Sequence, residues 1–127
     1  MVKPGDKVYH LGDVVMGQGG REGFPALIAR LQGQKRLVVG NHDDIKWLSQ
    51  GGWFKKVMMW RVMPEFNILL THVPIHEASI HERIVSVGGV NVHGHIHEKA
   101  SPKGPYRCVC VEQTNYTPVN IEEIVDA

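Results

Sequence analysis

The sequence predicts an α/β fold in which helices cover a layered sheet. Short apolar segments alternate with amphipathic or capped segments along the first half of the chain, which is the pattern of strands and helices in a layered sheet. The chain has 127 residues, a length that suits one domain burying about two thirds of its unfolded surface. We therefore expect residues 1–127 to form a single domain.

The first segment, residues 7–15, is predicted to be a buried strand that runs into a loop, and its most informative residue is Asp13. The glycine-rich stretch 18–23 lacks the Gly-Lys-Ser/Thr ending of a phosphate-binding P-loop, so we predict a mobile loop at the mouth of a site. An amphipathic helix should follow, with Pro25 near its start and Gly33 just past its end. Its apolar side chains recur at helical spacing: Phe24, Leu27, Ile28 and Leu31.

A second strand and a second helix are predicted next. The strand covers residues 35–39 and leaves through a polar turn. Asp43 and Asp44 then open a short helix, because acidic side chains suit the positive end of a helix, and Gly51 and Gly52 end it.

The rest of the chain reads mainly as strands. Two of them, residues 57–62 and 66–70, flank a turn that contains Pro64. Two more are expected at residues 90–93 and 106–112. A final helix is predicted at Asn120, which suits a helix cap because a glutamate follows at the third position.

Polar residues able to bind metal or move protons follow four of these strands. They are Gly12-Asp13, Gly40-Asn41-His42-Asp43, Thr71-His72-Val73-Pro74 and Gly94-His95-Ile96-His97. In an extended segment alternate side chains share a face, so His95 and His97 are expected to aim at one point. Neutral imidazole is the commonest protein metal ligand. Taken alone, Gly-His-x-His is a weak signal, and surface or core histidines are the simpler interpretation of it.

The composition excludes some classes of function. The formal net charge is +1, which argues against a strong nucleic-acid footprint and against a polybasic membrane patch. No apolar run approaches the length of about 18 residues that a membrane span needs, and residues 1–10 lack a signal-peptide core. We expect a cytoplasmic protein whose two cysteines, Cys108 and Cys110, are reduced.

The order of the four motifs resembles the calcineurin-like metallophosphoesterases. The likeness is strongest to their small phage and bacterial members, which carry a stretch similar to Tyr9-His10-Leu11-Gly12-Asp13-Val14. It extends over nearly the whole chain. The resemblance implies a two-sheet α/β sandwich flanked by helices, with two metal ions on loops at the strand ends.

The resemblance also implies a role for each matching residue. Asp13 would bridge the two ions, and His97 would belong to the first metal site. His42 would protonate the leaving group or stabilise the transition state, oriented by Asp43. The ligands that complete the second metal site would be Asn41, His72 and His95. Mn²⁺ is the expected ion, with Fe, Zn or Ni as alternatives.

One departure from the family pattern leaves three functions open. The family begins with an Asp-x-His motif that supplies two ligands to the first metal, and this sequence has none. We therefore expect a shortened chain that lacks the first strand and helix, has an incomplete first metal site, and is able to form homo-oligomers that fill the missing strand. It would hydrolyse phosphodiesters or phosphomonoesters of small molecules or nucleotides. Alternatively, it is a binding or scaffold module, or a non-functional remnant.

Overall fold

The computed structural model describes residues 2–12, 17–76, 89–96, 99–110, 113–114 and 118–125, without the side chains of 17–21 and 125. It divides into two compact units, Met1–Met59 and Trp60–Ala127. In the first unit the strands β1 (Lys7–His10), β2 (Gln34–Val38) and β3 (Lys56–Met58) form a parallel sheet in that order.

Two helices complete the described part of the first unit, α1 (Gly17–Arg30) and α2 (Ile45–Gln50). The side chain of Asp44 caps α2 by accepting a hydrogen bond from the backbone N–H of Trp47, as predicted for an acidic helix start. The buried core of the unit joins both helices to β2 and consists of Phe24, Ile28, Leu37, Val39 and Leu48.

The second unit holds a mixed sheet in the order β4-β5-β6-β7. Its described elements are β4 (Arg61–Met63), a 3₁₀ turn (Pro64–Phe66), β5 (Ile68–Thr71), β6 (Val90–His93), β7 (Tyr106–Cys108) and the short helix α3 (Ile121–Val125). β4 runs antiparallel to β5, whereas β5, β6 and β7 are parallel. Asn120 caps α3 by accepting a hydrogen bond from Glu122 N at 2.9 Å, as the sequence predicted.

The predicted fold class is confirmed: the chain is a mixed α/β protein with two sheets. No helix in the part of the chain that the structure describes is long and apolar enough to cross a membrane.

The prediction of a loop at residues 18–23 is wrong, because α1 begins at Gly17. Glycine disfavours a helix interior by about 1 kcal/mol relative to alanine, but tertiary packing overrides propensity. Here Phe24 and Ile28 anchor the helix in the core. The apolar stripe is also narrower than predicted, since Leu27 is 58% exposed and Leu31 is 44% exposed.

The predicted strand over residues 57–62 is in fact two strands that belong to different sheets. β3 ends at Met58 and β4 begins at Arg61, with Met59 and Trp60 between them. Both linking side chains are exposed. A continuous apolar run predicts extended backbone but carries no information on which sheet each half joins. Similarly, the strand predicted at 106–112 ends at Cys108.

Candidate metal centre

The best-defined candidate site lies at the carboxyl ends of two adjacent parallel strands in the second unit. The last paired residues of β5 and β6 are Thr71 and His93. The backbone N–H of Gly94 donates to the carbonyl of His72 at 2.8 Å, which continues the ladder one residue further. The two loops that carry His72 and His95 therefore leave the sheet side by side.

His72 and His95 meet through their ring nitrogens. The distance from His72 Nε2 to His95 Nδ1 is 3.1 Å. The ring centroids lie 4.9 Å apart with an interplanar angle of 72°, so the contact is edge to face. His72 is buried, with 6% exposure, whereas His95 is exposed. One of the two facing nitrogens carries the hydrogen that joins the pair, and the other accepts it.

His95 lies in a turn after β6, and not in an extended segment as the sequence predicted. β6 ends at His93, and His95 has a left-handed backbone with φ 72°. Histidine is one of the residues that adopt this region more readily than most. The expectation that His95 and His97 share one face of an extended segment is therefore wrong, because the backbone of His95 is not extended. His97 lies outside the described residues.

His93 is a residue of this region that the sequence reasoning did not select. It is fully buried, and its Nδ1 donates to the carbonyl of Gly94 at 2.9 Å. Because that nitrogen carries the hydrogen, Nε2 accepts from the hydroxyl of Ser101 at 3.0 Å. Burial lowers the pKa of His93, the bond to Gly94 opposes this, and His72 and His95 lower it further. His93 is thus held as a neutral imidazole.

The sequence did contain a sign that His93 matters, because polar and apolar residues alternate along β6. Asn91 and His93 share one face of the strand, and both are completely buried. Two polar side chains on the inner face of a buried strand indicate an organised hydrogen-bond network.

The turn that leaves β2 carries three other predicted site residues. Asn41 and His42 are exposed there. The carboxylate of Asp43 closes this turn by accepting from Gly40 N at 2.8 Å, and Asp43 N donates to Gly40 O at 3.2 Å. That Asp43 orients His42 stays a prediction. Asp13, predicted after β1, lies outside the described residues.

The imidazole pair fits a transition-metal ion. Ligands in neighbouring positions on an ion with bonds of about 2.1 Å lie about 3.0 to 3.4 Å apart, which includes the observed separation of the two nitrogens. Across the described ranges, no group of three or more His, Cys, Asp or Glu side chains is arranged to hold an ion. The described residues therefore bring two predicted ligands, His72 and His95, together. Of the other predicted ligands, Asn41 is exposed in the turn after β2, and Asp13 and His97 lie outside the described residues.

Comparison with known proteins supports the fold. No family model matches the chain, and no curated protein matches it. Among solved structures, the chain is similar to the protein of unknown function AQ665 from Aquifex aeolicus, with a TM-score of 0.69 and 26% identity. The match covers 99% of this chain and 78% of that one. The shared architecture extends over both sheets.

Proposed function

We propose that this chain is a metal-dependent hydrolase of phosphoester bonds. The observation that carries the proposal is the contact between His72 Nε2 and His95 Nδ1 at the ends of two parallel strands. The order of the four sequence motifs supports it, because it resembles that of the calcineurin-like metallophosphoesterases. Phosphodiesters or phosphomonoesters of small molecules or nucleotides are the proposed substrates.

In this proposal His72 and His95 bind a divalent transition ion, with Mn²⁺ as the expected metal. Such an ion would polarise the phosphoester and lower the pKa of a water molecule. Asp13 and Asn41 are the predicted further ligands, and His97 is assigned to a first metal site. His42 is proposed to donate a proton to the leaving group.

A cytoplasmic location is part of the proposal. The two cysteines, Cys108 and Cys110, lie two positions apart, which is poor geometry for a mutual disulfide, and Cys108 is buried. Thiols persist in the reducing cytosol, whereas secreted domains of this size commonly use their cysteines in disulfides.

The proposal is tested by Mn²⁺-dependent hydrolysis of bis(4-nitrophenyl) phosphate, with metal affinity measured on the same samples. His95→Gln should lose both tight metal binding and turnover, because it removes an imidazole ligand. His42→Ala should lower turnover by about 10²–10⁴, the usual contribution of a general acid, with unchanged metal affinity. His76→Ala is the matched control, since His76 is an exposed histidine of the same unit and should leave both quantities unchanged.

The outcomes separate the alternatives. A wild-type chain that binds Mn²⁺ tightly without metal-dependent turnover contradicts the hydrolase and supports a binding module. A His95→Gln variant with wild-type turnover contradicts the assignment of the metal ligands.

A further inference from the structure

The segment that carries His72 is fixed to the sheet by buried polar side chains that no metal chemistry requires. After β5 ends, residues 72–75 turn back over the face formed by Leu69, Thr71, Asn91 and Tyr106. Ile75 packs on this face against Leu69. Both backbone polar groups of Ile75 are bound there: its N–H donates to Asn91 Oδ1 at 3.0 Å, and its carbonyl accepts from the hydroxyl of Tyr106 at 2.6 Å.

Thr71 and Asn91 connect this anchor to the residue next to His72. Asn91 Nδ2 donates to the carbonyl of Leu69 at 3.1 Å and to Thr71 Oγ1 at 2.9 Å. Thr71 Oγ1 in turn donates to the carbonyl of Val73 at 2.6 Å. Each donor therefore faces an acceptor, which fixes the orientation of the Asn91 amide. A flipped amide would oppose carbonyl oxygen to carbonyl oxygen and leave Ile75 N–H without its partner.

This network restrains the backbone on both sides of His72. Thr71 precedes His72 and is paired with His93 in the sheet, and Val73 follows it and is held by the hydroxyl of Thr71. The two bonds that Asn91 donates, to Leu69 and Thr71, are buried and so shielded from competition with water, and those that reach Val73 and Ile75 are partly buried. Few conformations of the turn remain, and the observed one directs His72 Nε2 at His95.

We propose that Thr71 and Asn91 are positioning residues that aim the imidazole of His72 at His95 and so preorganise the metal centre. Outer residues that orient metal ligands contribute about 10- to 100-fold to metal affinity in characterised sites. Only the consequence for metal affinity rests on the proposed function, because the alignment of the two imidazoles is a property of the chain itself.

The test compares Thr71→Val with Thr71→Ser in the full chain. Valine has nearly the same shape but neither donates to Val73 nor accepts from Asn91, whereas serine keeps both bonds. Val62→Ala is a control for lost stability, because Val62 packs against Leu69 outside the network. Two readouts are needed: long-range ¹H–¹⁵N spectra of the imidazole nitrogens at one fixed alkaline pH without metal, and Co²⁺ affinity with its visible absorption spectrum.

We expect Thr71→Val to shift the ring nitrogen signals of His72 and His95 and to weaken Co²⁺ binding by about tenfold or more. Thr71→Ser should restore both, and Val62→Ala should change neither. Ring nitrogen signals in Thr71→Val that equal those of the wild type would overturn the positioning role, whatever the metal result. If those signals shift and serine restores them, but the wild type binds no Co²⁺, the positioning role stands and the proposed function fails.

Discussion

The facing nitrogens of His72 and His95 are joined either by one proton or by one metal ion. At 3.1 Å the separation suits a hydrogen bond between two neutral rings, and it also suits two ligands on one ion. Metal binding at this pair therefore requires the shared hydrogen to move to the other nitrogen of its ring, because each ligating nitrogen must present a lone pair. The neighbouring His93 does not compete for the ion, because its nitrogens are engaged by Gly94 and Ser101.

His10 provides a prediction for the pH dependence of stability. Its ring edge contacts Phe54, and within the described residues its buried Nε2 has no hydrogen-bond partner. Burial lowers the pKa of His10 below its ordinary value of 6.5, and Lys35 lowers it further. Below pH 6.5 the unfolded chain therefore takes up a proton at this site that the folded chain does not. The contribution of His10 is complete above that pH and is lost as the pH falls toward the lower folded-state pKa.

His10→Leu should remove this dependence, because leucine does not titrate. The free energy of unfolding of the variant, measured by urea denaturation between pH 5 and 8, should fall less steeply with acidification than that of the wild type. His93 also has a lowered pKa, but it is present in both proteins and cancels in the difference. Parallel pH profiles for the two proteins would contradict the role assigned to His10.

At the scale of the elements, the sequence predicted the ends of strands better than the conformation of the turns after them. β2, β5 and β6 end within one or two residues of the predicted positions, because apolar runs followed by polar turn residues mark buried strands clearly. The left-handed turn at His95 was missed, since a single histidine gives no sign of a positive φ in advance. The change of sheet between β3 and β4 was missed because it depends on long-range pairing.

Two glycines of the first unit should respond oppositely to replacement by alanine. Gly23 lies inside α1, and an added Cβ would meet nothing within 4 Å. Gly23→Ala should therefore stabilise the protein by about 0.4–1 kcal/mol. Gly33 has φ +103°, and an added Cβ would lie 2.5 Å from Val8 Cγ2. Gly33→Ala should destabilise by more than Gly23→Ala stabilises.

Thermal and urea denaturation of both variants against the wild type provide the measurement. Gly5→Ala is a suitable control, because an added Cβ there also meets nothing within 4 Å. Equal effects at Gly23 and Gly33 would contradict the placement of Gly23 in a regular helix and of Gly33 in a strained turn.

For the whole molecule, local sequence patterns were enough to predict the class of fold but not the separation of the chain into two compact units. Alternating strands and helices predicted the mixed α/β architecture that the structure shows with two sheets. That each sheet belongs to its own compact unit depends on contacts between residues far apart in the chain, which periodicity does not encode. The same holds for the candidate site: the sequence selected His72 and His95, but the buried support from Thr71, Asn91 and His93 required strand register.

The central claim is that His72 and His95 are ligands of one divalent ion, and Mn²⁺ binding to the metal-free chain tests it most directly. Free Mn²⁺ is measured by electron paramagnetic resonance during a titration of the wild type, His72→Gln and His95→Gln, with His76→Ala as the control. We predict about one tightly bound ion per wild-type chain, the same for His76→Ala, and loss of tight binding in both glutamine variants. Absence of tight binding in the wild type, or wild-type affinity in either glutamine variant, would contradict the claim.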